Sequence, residues 1–92
     1  MIQFFIPIES LPAKIEDTPT YILKVINLIN SHKLPIRRKF YNDDSEDGLY
    51  IRFIDEELTT IKFILKDNGN ETIGTMNIGF GVVDSKPSPL LT

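Results

Sequence analysis

Asp55-Glu56-Glu57-Leu58-Thr59-Thr60-Ile61-Lys62-Phe63-Ile64-Leu65-Lys66 decides the fold of this chain. As a helix, Asp55 caps it, Glu56 and Glu57 meet its positive end, and Lys66 meets its negative end. Leu58, Ile61 and Leu65 then share a face, Gly69 ends the helix, and the element order becomes the ferredoxin-like βαββαβ. As a strand, Thr59–Leu65 is rich in β-formers, and Asp67-Asn68-Gly69-Asn70 becomes a hairpin turn of the favoured Asn-Gly kind. Phe63 arbitrates. On a helix it lies nearly opposite Ile61 and Leu65; on a strand it joins them. The strand reading is the one adopted.

Outward from there the pattern is β on both sides. Glu71–Val83 reads as a long last strand with Met76, Ile78, Phe80 and Val82 on one face, thinned by Gly74, Gly79 and Gly81. Upstream, Leu49, Ile51 and Phe53 alternate with Tyr50, Arg52 and Ile54. Asn42–Gly48 is a polar turn, and Ile36–Tyr41 a short basic strand. Thr18 as cap and Pro19 as first helical residue open a helix whose Ile22, Val25, Ile26 and Ile29 repeat at i, i+3, i+4, i+7. His32 and Lys33 fall in its last turn and Leu34-Pro35 stops it. The chain begins with a strand, Ile2–Ile8, carrying Ile2, Phe4, Ile6 and Ile8 on one face and Gln3 and Phe5 on the other.

The fold class is therefore α+β: one amphipathic helix on a mostly antiparallel sheet of four or five strands, with βαββαβ as the alternative if residues 55–66 are helical. Residues 1–84 form one domain and 85–92, with Pro87 and Pro89, a tail open to a docking role. Phe5, Tyr50 and Ile64 are expected on the sheet face that the helix leaves uncovered, where an apolar patch marks an interface.

The chain has 92 residues, 41% apolar and 25% charged, as a small soluble domain does. No cysteine is present, which excludes disulfides and thiol chemistry. No apolar run approaches the ~20 residues of a membrane span, and the opening residues lack a signal peptide's basic flank, so the expected compartment is the cytoplasm. Fourteen isoleucines without tryptophan suggest an AT-rich coding source, which fits low-GC bacteria, their phages and mobile elements, and also several eukaryotes and viruses.

Charge is uneven. Between Asn42 and Glu57 seven acids face one base, Arg52, leaving −6 in a chain of net −3. One cluster is Asp43, Asp44, Glu46 and Asp47; the other is Asp55, Glu56 and Glu57. They lie at opposite ends of the strand between them, roughly 20 Å apart, too far for one continuous stripe. Asp43–Gly48 imitates the first half of a calcium loop, but Ile54 stands where the bidentate glutamate belongs. His32, the single histidine, has no visible partner. Adjacent Glu56 and Glu57 point to opposite faces of a strand. Nothing assembles a nucleophile, a base and an oxyanion donor, so no enzyme, cofactor or metal is expected. Ile2-Gln3-Phe4-Phe5-Ile6-Pro7 resembles the opening of some Holliday-junction resolvases of the RusA type. It covers six residues. The metal-binding carboxylates of such a nuclease fall in no matching pattern, and its function is not carried over.

The expected function is protein binding, most concretely as a stoichiometric inhibitor: an immunity protein or a phage-encoded antagonist of a host defence nuclease. Asp43, Asp44, Glu46 and Asp47 would face a basic cleft on a nucleic-acid-handling enzyme, with Tyr41 or Tyr50 as anchor. A second class is a nucleic-acid-binding module using Arg37, Lys39 and Tyr41. The chain's net acidity argues against direct nucleic-acid contact. A third is an assembly subunit that pairs sheet edges between copies.

Overall fold

The computed structural model describes residues 2–78. The helix is α1, Thr18–Asn30, and the strands are β1 (Ile2–Pro7), β2 (Arg37–Phe40), β3 (Gly48–Phe53), β4 (Thr60–Asp67) and β5 (Asn70–Asn77). A short 3-10 turn, Ile8–Ser10, follows β1. The five strands form one antiparallel sheet in the order β2-β1-β3-β4-β5, and the helix packs on one face. This is the expected α+β architecture, and Thr60–Asp67 is a strand. The expected tail 85–92, together with Gly79, Phe80, Gly81 and Val82, lies outside the described residues.

Phe63 explains why the ambiguous stretch is β. Ile61, Phe63 and Leu65 all face the helix, with Ile61 fully buried and Phe63 nearly so. A helix would have turned that ring to solvent. The β4–β5 hairpin closes through Asn68 and Gly69, with φ of 51° and 89°. Two successive positive-φ residues make the turn whose twist matches the strands.

The helix buries Tyr21, Ile22, Val25, Ile26 and Ile29 against Ile6, Leu49, Ile51, Ile61 and Phe63. Each such side chain contributes about 1.5–3 kcal/mol. Both helix ends differ in detail from expectation. The cap is Asp17, not Thr18: its carboxylate accepts from the Thr20 N–H at 3.2 Å and the Thr20 hydroxyl at 2.8 Å. Those two donors hold the Asp17 carboxyl below its ordinary range. At the other end the last helical residue is Asn30, so His32 lies beyond the final turn. Its N–H donates to the Ile29 carbonyl and that of Lys33 to the Leu28 carbonyl, a Schellman closure with His32 at φ 58°. Glycine is the residue suited to that position. His32→Gly is expected to stabilise the chain by about 1 kcal/mol, seen as a raised urea midpoint at constant slope.

Strand order has one consequence that matters for every charged residue. β2 and β3 are both antiparallel to β1 and flank it, so they are parallel to each other. A connection between parallel strands of one sheet must pass over a face. The helix occupies one face. Segment 41–47 therefore crosses the other.

Candidate functional site

By alternation and register, the face away from the helix carries Gln3, Phe5, Arg37, Lys39, Tyr50, Arg52, Lys62, Ile64, Lys66, Glu71, Ile73 and Thr75. It holds five bases and one acid. The acidic loop lies across it as a strap. Tyr50 anchors the strap: its hydroxyl donates to the Glu46 carbonyl at 2.7 Å and accepts from the Glu46 N–H at 3.0 Å. Arg37 pairs with Glu46 at 2.6 Å, and Lys39 reaches both Asp43 at 3.3 Å and Glu46 at 3.5 Å. The Lys66 ammonium donates to the Asp44 carbonyl. Asp47 closes the far end, its carbonyl accepting from the Ile8 N–H and its carboxylate from the Asn68 N–H.

Beneath the strap is a second, smaller core of Phe5, Tyr50 and Ile64. The Phe5 and Tyr50 rings stand 4.6 Å apart at 42°. Arg37 and Lys39 lie over the Phe5 ring at 5.0 and 5.1 Å. Gln3, also buried, donates from its side-chain amide to the Phe40 carbonyl at 3.0 Å.

Two expectations are corrected by this arrangement. Phe5, Tyr50 and Ile64 do share the face away from the helix, but they are 0%, 1% and 9% exposed because the strap covers them. Tyr50 is thus spent on the chain's own interior, with both of its hydrogen bonds made within the strap. Asp43 and Glu46 are likewise paired with the sheet's own cations. The acidic loop serves the fold as an internal counterion for Arg37 and Lys39, because strand order brings them under it. The second acidic cluster also has a local role. Asp55 accepts from the N–H groups of Thr59 and Thr60, both at 3.0 Å, and from the Thr59 hydroxyl. These donors, the Thr59 hydroxyl foremost, hold its carboxyl below the ordinary range. They also fix the turn in which Leu58 adopts φ 60°. Among the described residues no group of three histidine or acidic side chains is placed to hold a metal ion.

Tyr41 parts from Arg37 and Lys39 and meets Arg52, whose guanidinium lies 4.6 Å from its ring centre. The two line a shallow cleft of about 370 Å³ with Phe53, Ile54, Asp55 and Glu56. Nearby, on the helix side, β2 extends past the helix. Phe40 is 64% exposed and lies directly opposite Ile2, itself 47% exposed. Ile36 is exposed on the same strand flank, and Arg38 sits 5.9 Å over the Phe4 ring. Alternation along the expected strand Ile36–Tyr41 puts Ile36, Arg38 and Phe40 on one face; the strand observed is Arg37–Phe40. The missing signal was the reach of the helix, which covers β1, β3 and β4 but no residue of β2. Among the described residues no helix is long and apolar enough to cross a membrane. No known protein family, curated protein or solved structure matches the chain.

Proposed function

We propose that this chain is a non-enzymatic protein-binding domain that acts by covering a surface of its partner, in the manner of a stoichiometric antagonist. The observation that supports the reading is the apolar flank of β2 and β1. Phe40 and Ile2 form an exposed cross-strand pair next to the half-buried Phe4, and Ile36 is exposed just before the other end of β2. Water-facing aromatic and branched side chains gathered in one place are the usual centre of an interface, and arginine commonly rims it. Here that arginine is Arg38, opposite Phe4 and over its ring. It is exposed and has no acid within ion-pairing distance among the described residues. The partner surface this flank fits is therefore apolar at its centre and acidic around it. The basic cleft expected from the loop's charge has less to support it, since Asp43 and Glu46 already pair within the chain.

The test replaces Phe40 with a photo-reactive phenylalanine analogue in lysate of a low-GC bacterium, with the same analogue at Ile15 as the control. Ile15 is exposed on its own, away from the flank. The captured protein is then purified and titrated directly. Phe40→Glu is expected to weaken that complex about tenfold or more with no loss of thermal stability, and Ile15→Glu to leave it unchanged. Equal affinity for Phe40→Glu and the parent chain would remove the flank from the interface. Cross-links only between copies of this chain would make the third expectation, an assembly subunit, the correct one.

A further inference from the structure

The strap's carboxylates pair with Arg37 and Lys39, two of the five bases on this face. Arg37, Lys39 and Lys66 are engaged by segment 41–47. Arg52 meets that segment only through the Tyr41 ring, and neither Arg52 nor Lys62 is paired with one of its carboxylates. They are direct partners across β3 and β4, so their side chains leave the same face at adjoining positions. Among the described residues neither has a carboxylate within ion-pairing distance. Asp55 and Glu56 share the cleft with Arg52, but the Asp55 carboxylate is taken up by Thr59 and Thr60. Like charges directly opposed across a sheet destabilise it. An oxyanion lying between them reverses the sign of that interaction. The chain already shows that its sheet cations take oxyanions, since Glu46 and Asp43 lie on Arg37 and Lys39 across β1 on the same sheet.

The surroundings narrow the ligand. Thr75 is the partner of Lys62 on β5 and adds a hydroxyl to the same row. Tyr41, half-buried under Arg52, adds an aromatic ring. The site is an open sheet surface beside a shallow cleft. Small-molecule sites enclose most of their ligand; a flat cationic face with a ring at its margin suits an extended polymer. We propose that Arg52 and Lys62, with Tyr41 and Thr75, bind the phosphodiester backbone of a single-stranded nucleic acid. This moves the site from Arg37 and Lys39, whose charges the strap consumes, across β1 to the β3–β4 pair. Net acidity of the whole chain does not by itself oppose it, because Asp43 and Glu46 pair with Arg37 and Lys39, and the Asp55 carboxylate is taken up by Thr59 and Thr60.

The experiment is fluorescence anisotropy with a labelled oligothymidylate about 12 nucleotides long, within the site sizes of single-strand binders. Binding at about 50 mM salt is expected, weakening steeply as salt rises. The double variant Arg52→Gln, Lys62→Gln is expected to bind at least about tenfold more weakly, with a salt slope shallower by about 1.4 for two lost phosphate contacts. Its melting temperature should hold or rise, because the opposed charges are gone; that separates lost binding from lost folding. Arg37→Gln should bind as the parent does. No binding at low salt overturns the proposal. So does a double variant that binds normally, or an Arg37→Gln variant that loses as much as the double variant. Competition by polyglutamate of equal length as strong as that by unlabelled oligothymidylate also overturns it, since the face would then be a site for carboxylates.

Discussion

Gly48→Ala is expected to leave the chain unfolded at room temperature. Gly48 is the first residue of β3, where the strap turns down into the sheet, and its φ is 149°. A methyl group there would overlap the Ile6 carbonyl oxygen and stand 2.7 Å from the Phe5 ring. Neither neighbour can give way. The Ile6 carbonyl belongs to β1, beside the Pro7–Gly48 pair of the β1–β3 ladder. The Phe5 ring is fixed by Tyr50 and fully buried. Backbone strain and overpacking together cost about 3–5 kcal/mol, comparable to the whole stability of a domain this small. Circular dichroism and a proton–nitrogen spectrum read the outcome. A variant that melts cooperatively within about 1 kcal/mol of the parent would mean that β1 and β3 do not meet as described.

Tyr50→Phe should cost about 2 kcal/mol, because it strands the Glu46 N–H and carbonyl beneath the strap without a partner. The same hydroxyl makes stability fall at alkaline pH. Burial is the main cause that pushes the Tyr50 phenol up to about 12; the Glu46 main-chain hydrogen bond opposes the shift, and the carboxylates of Asp44, Glu46 and Asp43 add to it. A pKa raised by folding means the native chain holds this proton more tightly than the unfolded one. The contribution is complete below the ordinary tyrosine pKa of about 10 and disappears as pH climbs through about 12. The gap between parent and Tyr50→Phe isolates the phenol: about 2 kcal/mol near pH 9, closing by about pH 12. Urea midpoints across the range measure it. A gap that stays constant would show that the hydroxyl is solvated and the strap does not seal it.

Local chemistry was legible in the residues and long-range order was not. Ile22, Val25, Ile26 and Ile29 announce a helix, and Phe63 beside Asn68-Gly69 announces a hairpin, because each signal lies within one element. The helix cap was read one residue late since Asp17 and Thr18 both offer a side-chain oxygen, and only the chain's path selects between them. The alternation of Tyr50 with Leu49 and Ile51 gave its face correctly. Whether water reaches that face depends on β1 lying between β2 and β3, which no residue in 41–47 encodes. Strand order likewise decides that Glu46 meets Arg37 and that Arg52 meets Lys62. The candidate site was therefore half legible: its residue types and faces, but not which charges cancel.

Past its exposed first residue, Ile2, β1 is flanked on both edges and overlaid on both faces. β2 and β3 flank it, the helix lies under it, and segment 41–47 is drawn over it from one end to the other. A strand held this way cannot be lent to a neighbouring copy by peeling from an edge. It leaves only when the strap lifts, and lifting the strap breaks the Tyr50 and Arg37 contacts together. The short basic β2 is thus not the weak margin its length suggests. It is one post of a closed buckle: the chain is protected against strand exchange at its first strand, and its outer hairpin, β4 and β5, is tied to the strap at its turn end, through Lys66 and Asn68.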